Sequence, residues 1–181
     1  MATAKKGIKK TFFEVSAPLT ATKMHVYATT MDEIVGRTIL LDMTRSLRGK
    51  SFEVTMKIAK EGETLVGRPT RMNLAGSYVR RSMRKGTDYV EDSFVTDSKD
   101  GNVTVKPFMI TRNRVSRGIR AALRDATREF LQGYVRIRNL NEVFTEIMTN
   151  KLQKELAMKL KKIYPLVFCE IRTIEIVEAK K

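Results

Sequence analysis

Arg117, Arg120, Arg124 and Arg128 recur at steps of three, four and four residues. At about 100° per helical residue, this spacing gathers four guanidinium groups within an arc of about 80° on one helix face. The planar guanidinium fork donates paired hydrogen bonds to phosphate oxygens and stays charged across the physiological range. The chemistry indicated is anion recognition, phosphate above all. Ile119, Ala122, Leu123, Ala126 and Phe130 fall opposite the stripe, so the helix is predicted to bury one side and present arginine on the other. Charge at helical spacing ordinarily makes a solvated face. Here the charges share one sign, with only Asp125 and Glu129 at the margins, which favours a polyanionic ligand.

Further cations cluster elsewhere. Arg45, Arg48 and Lys50 surround a turn. The segment 64–87 carries Arg68, Arg71, Arg80, Arg81, Arg84 and Lys85 and no acidic residue, and Arg112 and Arg114 lead into the arginine helix. Lys5, Lys6, Lys9 and Lys10 make a basic tail of residues 1–10, and five lysines between Lys151 and Lys162 decorate a later helix beside Glu155. Cationic clusters separated by apolar framework are expected where a chain neutralises phosphates. The whole sequence of 181 residues agrees, with 35 Lys and Arg against 20 Asp and Glu, a formal net charge of +15. Nucleic acid is the first partner this suggests and an anionic membrane the second. No apolar run approaches the ~20 residues of a membrane span, and the basic N-terminus lacks the apolar stretch of a signal peptide. With Cys169 the only cysteine, no intramolecular disulfide is possible, and a soluble cytosolic protein is expected.

Catalysis is poorly supplied. His25 is the only histidine, Cys169 reads as a small core residue, and one of each cannot build a structural zinc site. Asp88, Glu91, Asp92, Asp97 and Asp100 surround a predicted hairpin and could hold a divalent metal, which makes a metal-dependent RNA-processing nuclease the alternative reading. A solvated acidic edge, turned away from RNA, is favoured. No cofactor or small-molecule substrate is indicated. Aromatic residues are sparse and fall at core spacings, so no base-stacking platform is expected, and recognition of folded RNA by backbone and shape is favoured.

The elements that must carry these residues are mainly strands, then helices, then one strand. Strands are predicted at 12–16, 24–30 and 38–44. Residues 51–58 give the clearest, with Phe52, Val54, Met56 and Ile58 alternating with polar positions. A partner strand at 64–74 contains Pro69, and a hairpin joins 87–96 to 103–111, which contains Pro107. Each proline suggests an edge or a bulge. A short helix is expected over 76–84. Ser116 and Gly133 are predicted to cap the arginine helix, Asn139 opens another helix with a break near Asn150, and Tyr164-Pro165 ends the helical region. The last strand spans 166–177, and a change in its polar parity places a bulge near Thr173.

Phe12-Phe13-Glu14-Val15-Ser16-Ala17-Pro18 resembles the opening strand of the S3Ae family, also called eS1, small-subunit ribosomal proteins of archaea and eukaryotes. Gly36-Arg37-Thr38, the run from Leu47 to Val54, the hairpin before Lys106, the basic helix and Ile163-Tyr164-Pro165-Leu166 follow in the family's order. The resemblance covers nearly the whole chain and is closest to the compact archaeal form, without the long terminal extensions of eukaryotic members. It implies a non-enzymatic role on the platform of the cytoplasmic small subunit, bound to ribosomal RNA and neighbouring platform proteins, with messenger RNA nearby. The expected fold is α+β, a strongly curved or barrel-like antiparallel or mixed sheet with a helical C-terminal half and a final strand. Residues 11–181 form one domain, strand-rich over 11–112 and helix-rich over 113–165.

Overall fold

A computed structural model describes residues 9–47 and 49–177. Lys5, Lys6 and Arg48, expected among the RNA contacts, lie outside the described residues. The strands are β1 (Thr11–Ala17), β2 (Thr22–Ala28), β3 (Thr38–Asp42), β4 (Phe52–Glu61) and β5 (Thr64–Leu74), then β6 (Tyr89–Glu91), β7 (Phe94–Ser98) and β8 (Gly101–Thr111), and finally β9 (Leu166–Ile176). The helices are α1 (Gly76–Ser82), α2 (Arg117–Arg136), α3 (Leu140–Met148) and α4 (Lys151–Leu160).

All nine strands join one mixed sheet. Its main path runs β2-β1-β5-β9-β8-β6, with β4 and then β3 on the other side of β5, and β7 beside β6 along β8. Among the described residues, only the short β1–β5 contact is parallel. The expected barrel is not formed: β2, β3, β6 and β7 each pair with a single neighbour, so the sheet stays open. The final strand pairs with β5 through Arg71 to Asn73 and with the whole of β8.

Prolines mark irregularities inside the sheet, not at its edges. At Pro69 the register between β4 and β5 skips Thr70. At Pro107 the ladder between β8 and β9 skips Arg172, which is the bulge predicted near Thr173. The missing proline N–H removes a ladder donor, and an extra residue absorbs the misfit. The strand expected over 87–96 divides into β6 and β7 at the same level. There the Asp92 carboxylate accepts the Ser93 N–H (2.9 Å), turning the chain between two separate pairings with β8.

The main core lies between the sheet and α2, α3 and α4. It includes Phe52, Val54 and Met72 from the strands and Leu123, Leu131, Phe144, Leu156 and Leu160 from the helices. A smaller core of Val15, Ala28, Ile34, Ile58 and Leu65 supports the β1–β2 hairpin. Ser116 caps α2 as predicted, its hydroxyl accepting the Ile119 N–H, but Gly133 does not end it. Tyr134 and Val135 are buried, and their packing carries the helix through the glycine to Arg136. Asn150 takes a left-handed conformation (φ 59°) and separates α3 from α4 at the expected break.

Candidate nucleic-acid interface

The buried residues of α2 are Leu123, Thr127, Leu131, Tyr134 and Val135, while Ala122 is exposed. The buried face is therefore rotated toward the arginines. The stripe borders the contact with the sheet instead of lying opposite it. Thr127 makes this possible: its hydroxyl donates to the Leu123 carbonyl oxygen (2.6 Å), so a polar residue is satisfied inside the core.

From this position the arginines reach across β6 and the turn behind it. Arg124 Nε donates to the Glu91 carbonyl oxygen (3.3 Å). Arg128 donates from Nε to Asp92 Oδ2 (3.0 Å) and from Nη2 to Asp92 Oδ1 (2.9 Å), and its guanidinium lies 5.6 Å from the Phe94 ring centre. The Asp92 carboxylate stabilises the Arg128 cation and raises its already high pKa further. Arg120 is half-buried, with its Nε enclosed and without a hydrogen-bond partner.

Two neighbouring depressions result. The larger, about 790 Å³, is open to solvent; Arg71, Lys106, Arg124, Arg128 and Arg172 supply its cations and Glu91 and Asp92 its carboxylates. The second is lined by Arg117, Arg120 and Arg124 with Asp88 and Glu91. Arg172 is brought in by the β9 bulge and pairs with Glu91 (3.3 Å). Seven cations and three carboxylates thus line two depressions that share Arg124 and Glu91, drawn from β5, β6, β8, β9 and α2.

Lys106 and Arg172 were not anticipated as contacts. Strand alternation carries the signal for Lys106, which stands between buried Val105 and Pro107. Arg172 owes its place to the bulge. The acidic residues also differ from expectation. Glu91 and Asp92 lie within the basic surface as internal counter-charges. Asp88 accepts the Val115 N–H (2.9 Å), and Asp100 accepts the Leu140 N–H (3.0 Å) at the start of α3. Among the described residues, no group of three or more His, Cys, Asp or Glu is disposed to hold a metal ion.

The remaining cations are dispersed. Lys50, expected to meet phosphate, is 7% exposed. Its ammonium donates to Glu170 Oε2 and Asn150 Oδ1, each at 2.5 Å, and Gln153 Nε2 shares the same Glu170 oxygen at 3.2 Å. It is a structural tie between the entry to β4, the α3–α4 junction and β9, withdrawn from any surface. Arg68 is exposed and paired with Glu61 (2.7 Å). Arg80 and Arg81 project from α1, Arg84 and Lys85 lie exposed in the segment after it, and Arg45 is exposed in the turn after β3. Arg112 and Arg114 are exposed on the approach to α2, and Lys9 and Lys10 precede β1.

The sequence profile of the ribosomal S3Ae family matches residues 3–180. A protein of Nanoarchaeum equitans named small ribosomal subunit protein eS1 is 27% identical over 172 residues, covering 91% of this chain and 87% of its own length. Its namesake in Desulfurococcus amylolyticus is 27% identical over 179 residues, covering 94% and 82%. No helix among the described residues is long and apolar enough to cross a membrane. With a family match along almost its entire length, the chain belongs to the ribosomal S3Ae family.

Proposed function

We propose that the protein is a structural constituent of the small ribosomal subunit that binds and stabilises folded ribosomal RNA on the platform, near the messenger-RNA exit. Its setting is the cytoplasmic ribosome, with neighbouring platform proteins as further partners. The observation that carries the reading is the gathering of seven cations around two adjoining depressions in a chain of net charge +15. Membership of the ribosomal family supports ribosomal RNA as the polyanion.

The geometry favours phosphate backbones over single bases. Arg128 spends Nε and Nη2 on Asp92, which fixes the guanidinium plane and leaves the Nη1 hydrogens for a phosphate oxygen. Arg172 is tethered more loosely, a single nitrogen, Nη1, donating to both Glu91 oxygens at 3.4 and 3.3 Å. Ordering these long side chains before RNA arrives lowers the entropy lost on binding. Each phosphate that docks releases condensed counterions and gains charge-assisted hydrogen bonds. Arg45, Arg68, Arg80, Arg81, Arg84, Lys85, Arg112 and Arg114 extend the cationic surface to other RNA segments.

Sedimentation tests the reading. In a sucrose gradient of cell extract, the protein should co-migrate with small subunits in a one-to-one ratio and leave them at high salt. Recovery only in slow fractions, or magnesium-dependent turnover of RNA, would refute it.

A further inference from the structure

We infer that Phe12 and Tyr27 form a stacking platform for an unpaired base of the ribosomal RNA, with Lys10 placed for that nucleotide's phosphate. The inference rests on the ribosomal-RNA reading above but concerns a different surface. The two residues stand directly opposite one another on β1 and β2. Their ring centres are 4.9 Å apart and the rings are tilted by 45°. Phe12 is 71% exposed and Tyr27 52%. The other face of the hairpin, through Val15 and Ala28, is already anchored in the smaller core.

The surroundings select the occupant. Lys10 Nζ lies 5.9 Å from the Tyr27 ring centre, and Lys9 is exposed beside it in sequence. Glu14, the next outward residue of β1, is paired with Lys23 at 2.6 Å, and Glu33, whose charge reaches Lys10, is paired with Arg37 at 2.8 Å, so both carboxylates already have a cation. His25 faces Glu14 across the strands and completes a polar border. The apolar area is therefore confined to two rings. A stable protein interface buries about 800 Å² on each partner, whereas one nucleotide base needs only an aromatic face and a nearby cation. Two exposed rings, with the Lys10 ammonium over the Tyr27 ring, match the nucleotide.

Cross-strand aromatic pairs also stabilise hairpins, and the test must separate that role. The full chain is bound to a small-subunit ribosomal RNA transcript and irradiated with short-wavelength ultraviolet light. After trypsin digestion the attached nucleotides are located by mass spectrometry. Cleavage after Lys10, Lys23 and Arg37 places Phe12 and Tyr27 on separate peptides, 11–23 and 24–37. Adducts are expected on one or both. In a second arm, the double variant F12L/Y27L keeps apolar side chains on both strands but removes the rings. It should bind the same transcript about tenfold more weakly, with an unchanged salt dependence, since stacking adds no phosphate contact. Absence of adducts from both peptides would overturn the inference. So would wild-type affinity in the double variant, including the case where it binds RNA normally yet fails to join small subunits, which would mark a protein contact. A steep salt dependence retained in either case would leave the phosphate-binding reading standing.

Discussion

Arg128 and Asp92 form a two-bond ion pair between α2 and the turn that separates β6 from β7 (2.9 and 3.0 Å). The Asp92 side chain is 9% exposed and the Arg128 side chain 45%. The acid is thus largely enclosed while the cation keeps access to solvent and to a ligand.

This pair yields the first prediction. Asp92→Asn preserves shape and removes one negative charge from the basic surface. RNA affinity at low salt should rise severalfold, because a carboxylate beside the docked phosphates is removed, while the salt slope should change little, since Arg128 already meets a phosphate in the wild type. The cost in folding stability should be small, because one partner is well solvated. Filter binding across a salt series checks the first part and urea unfolding the second. A loss of RNA affinity would show that holding Arg128 in place outweighs the charge removed.

The two faces of α2 should fail in different ways. Leu123 is fully buried, and Leu123→Ala should lower stability by about 2–5 kcal/mol. Arg124→Ala removes an exposed side chain and should shift the thermal midpoint little. Thermal unfolding by circular dichroism compares them. Equal destabilisation would mean that the stripe is part of the core packing.

Lys50 should behave as a core residue. Lys50→Ala leaves Glu170, a carboxylate whose side chain is 15% exposed, without its cation, and should cost about 3–5 kcal/mol. The salt slope of RNA binding in the folded variant should not change. A lowered slope with unchanged stability would return Lys50 to the RNA surface.

Cys169 should resist alkylation. Burial, aided by the charge of Glu170, pushes its thiol pKa up to about 12. Near pH ~8 the native thiolate fraction is therefore far below that of an ordinary cysteine. Iodoacetamide should label the folded protein very slowly and the urea-unfolded protein readily, and the native rate should climb as pH rises toward 12. Rapid labelling of the native protein at neutral pH would contradict this environment.

Much of the fold was legible where one local rule acted alone. Alternation from Phe52 to Ile58 set β4, the parity change marked the β9 bulge, and Asn150 marked the break between α3 and α4. The misses arise where tertiary packing overrode a local preference. Gly133 lies inside α2 because the residues after it are buried. The orientation of α2 was misjudged because Thr127 and Tyr134 count as polar or ambivalent in sequence yet are buried in the fold. Arg117, Arg120, Arg124 and Arg128 were found from spacing alone, but the strand cations Lys106 and Arg172 join them only through sheet pairing. Lys50 could not be told from a surface lysine, since Glu170 lies 120 residues away in sequence.

Affinity against salt tests whether these cations bind ribosomal RNA by neutralising phosphates. Between about 50 and 200 mM, binding of the full chain to a small-subunit ribosomal RNA transcript should weaken about a thousandfold or more if six or more phosphates are engaged. The variant R124A/R128A should bind more weakly, with the logarithmic slope reduced by about two units, and lysine at both positions should restore the slope but only part of the affinity. An affinity that barely changes with salt, or a slope identical in the variant, would contradict phosphate neutralisation by these arginines.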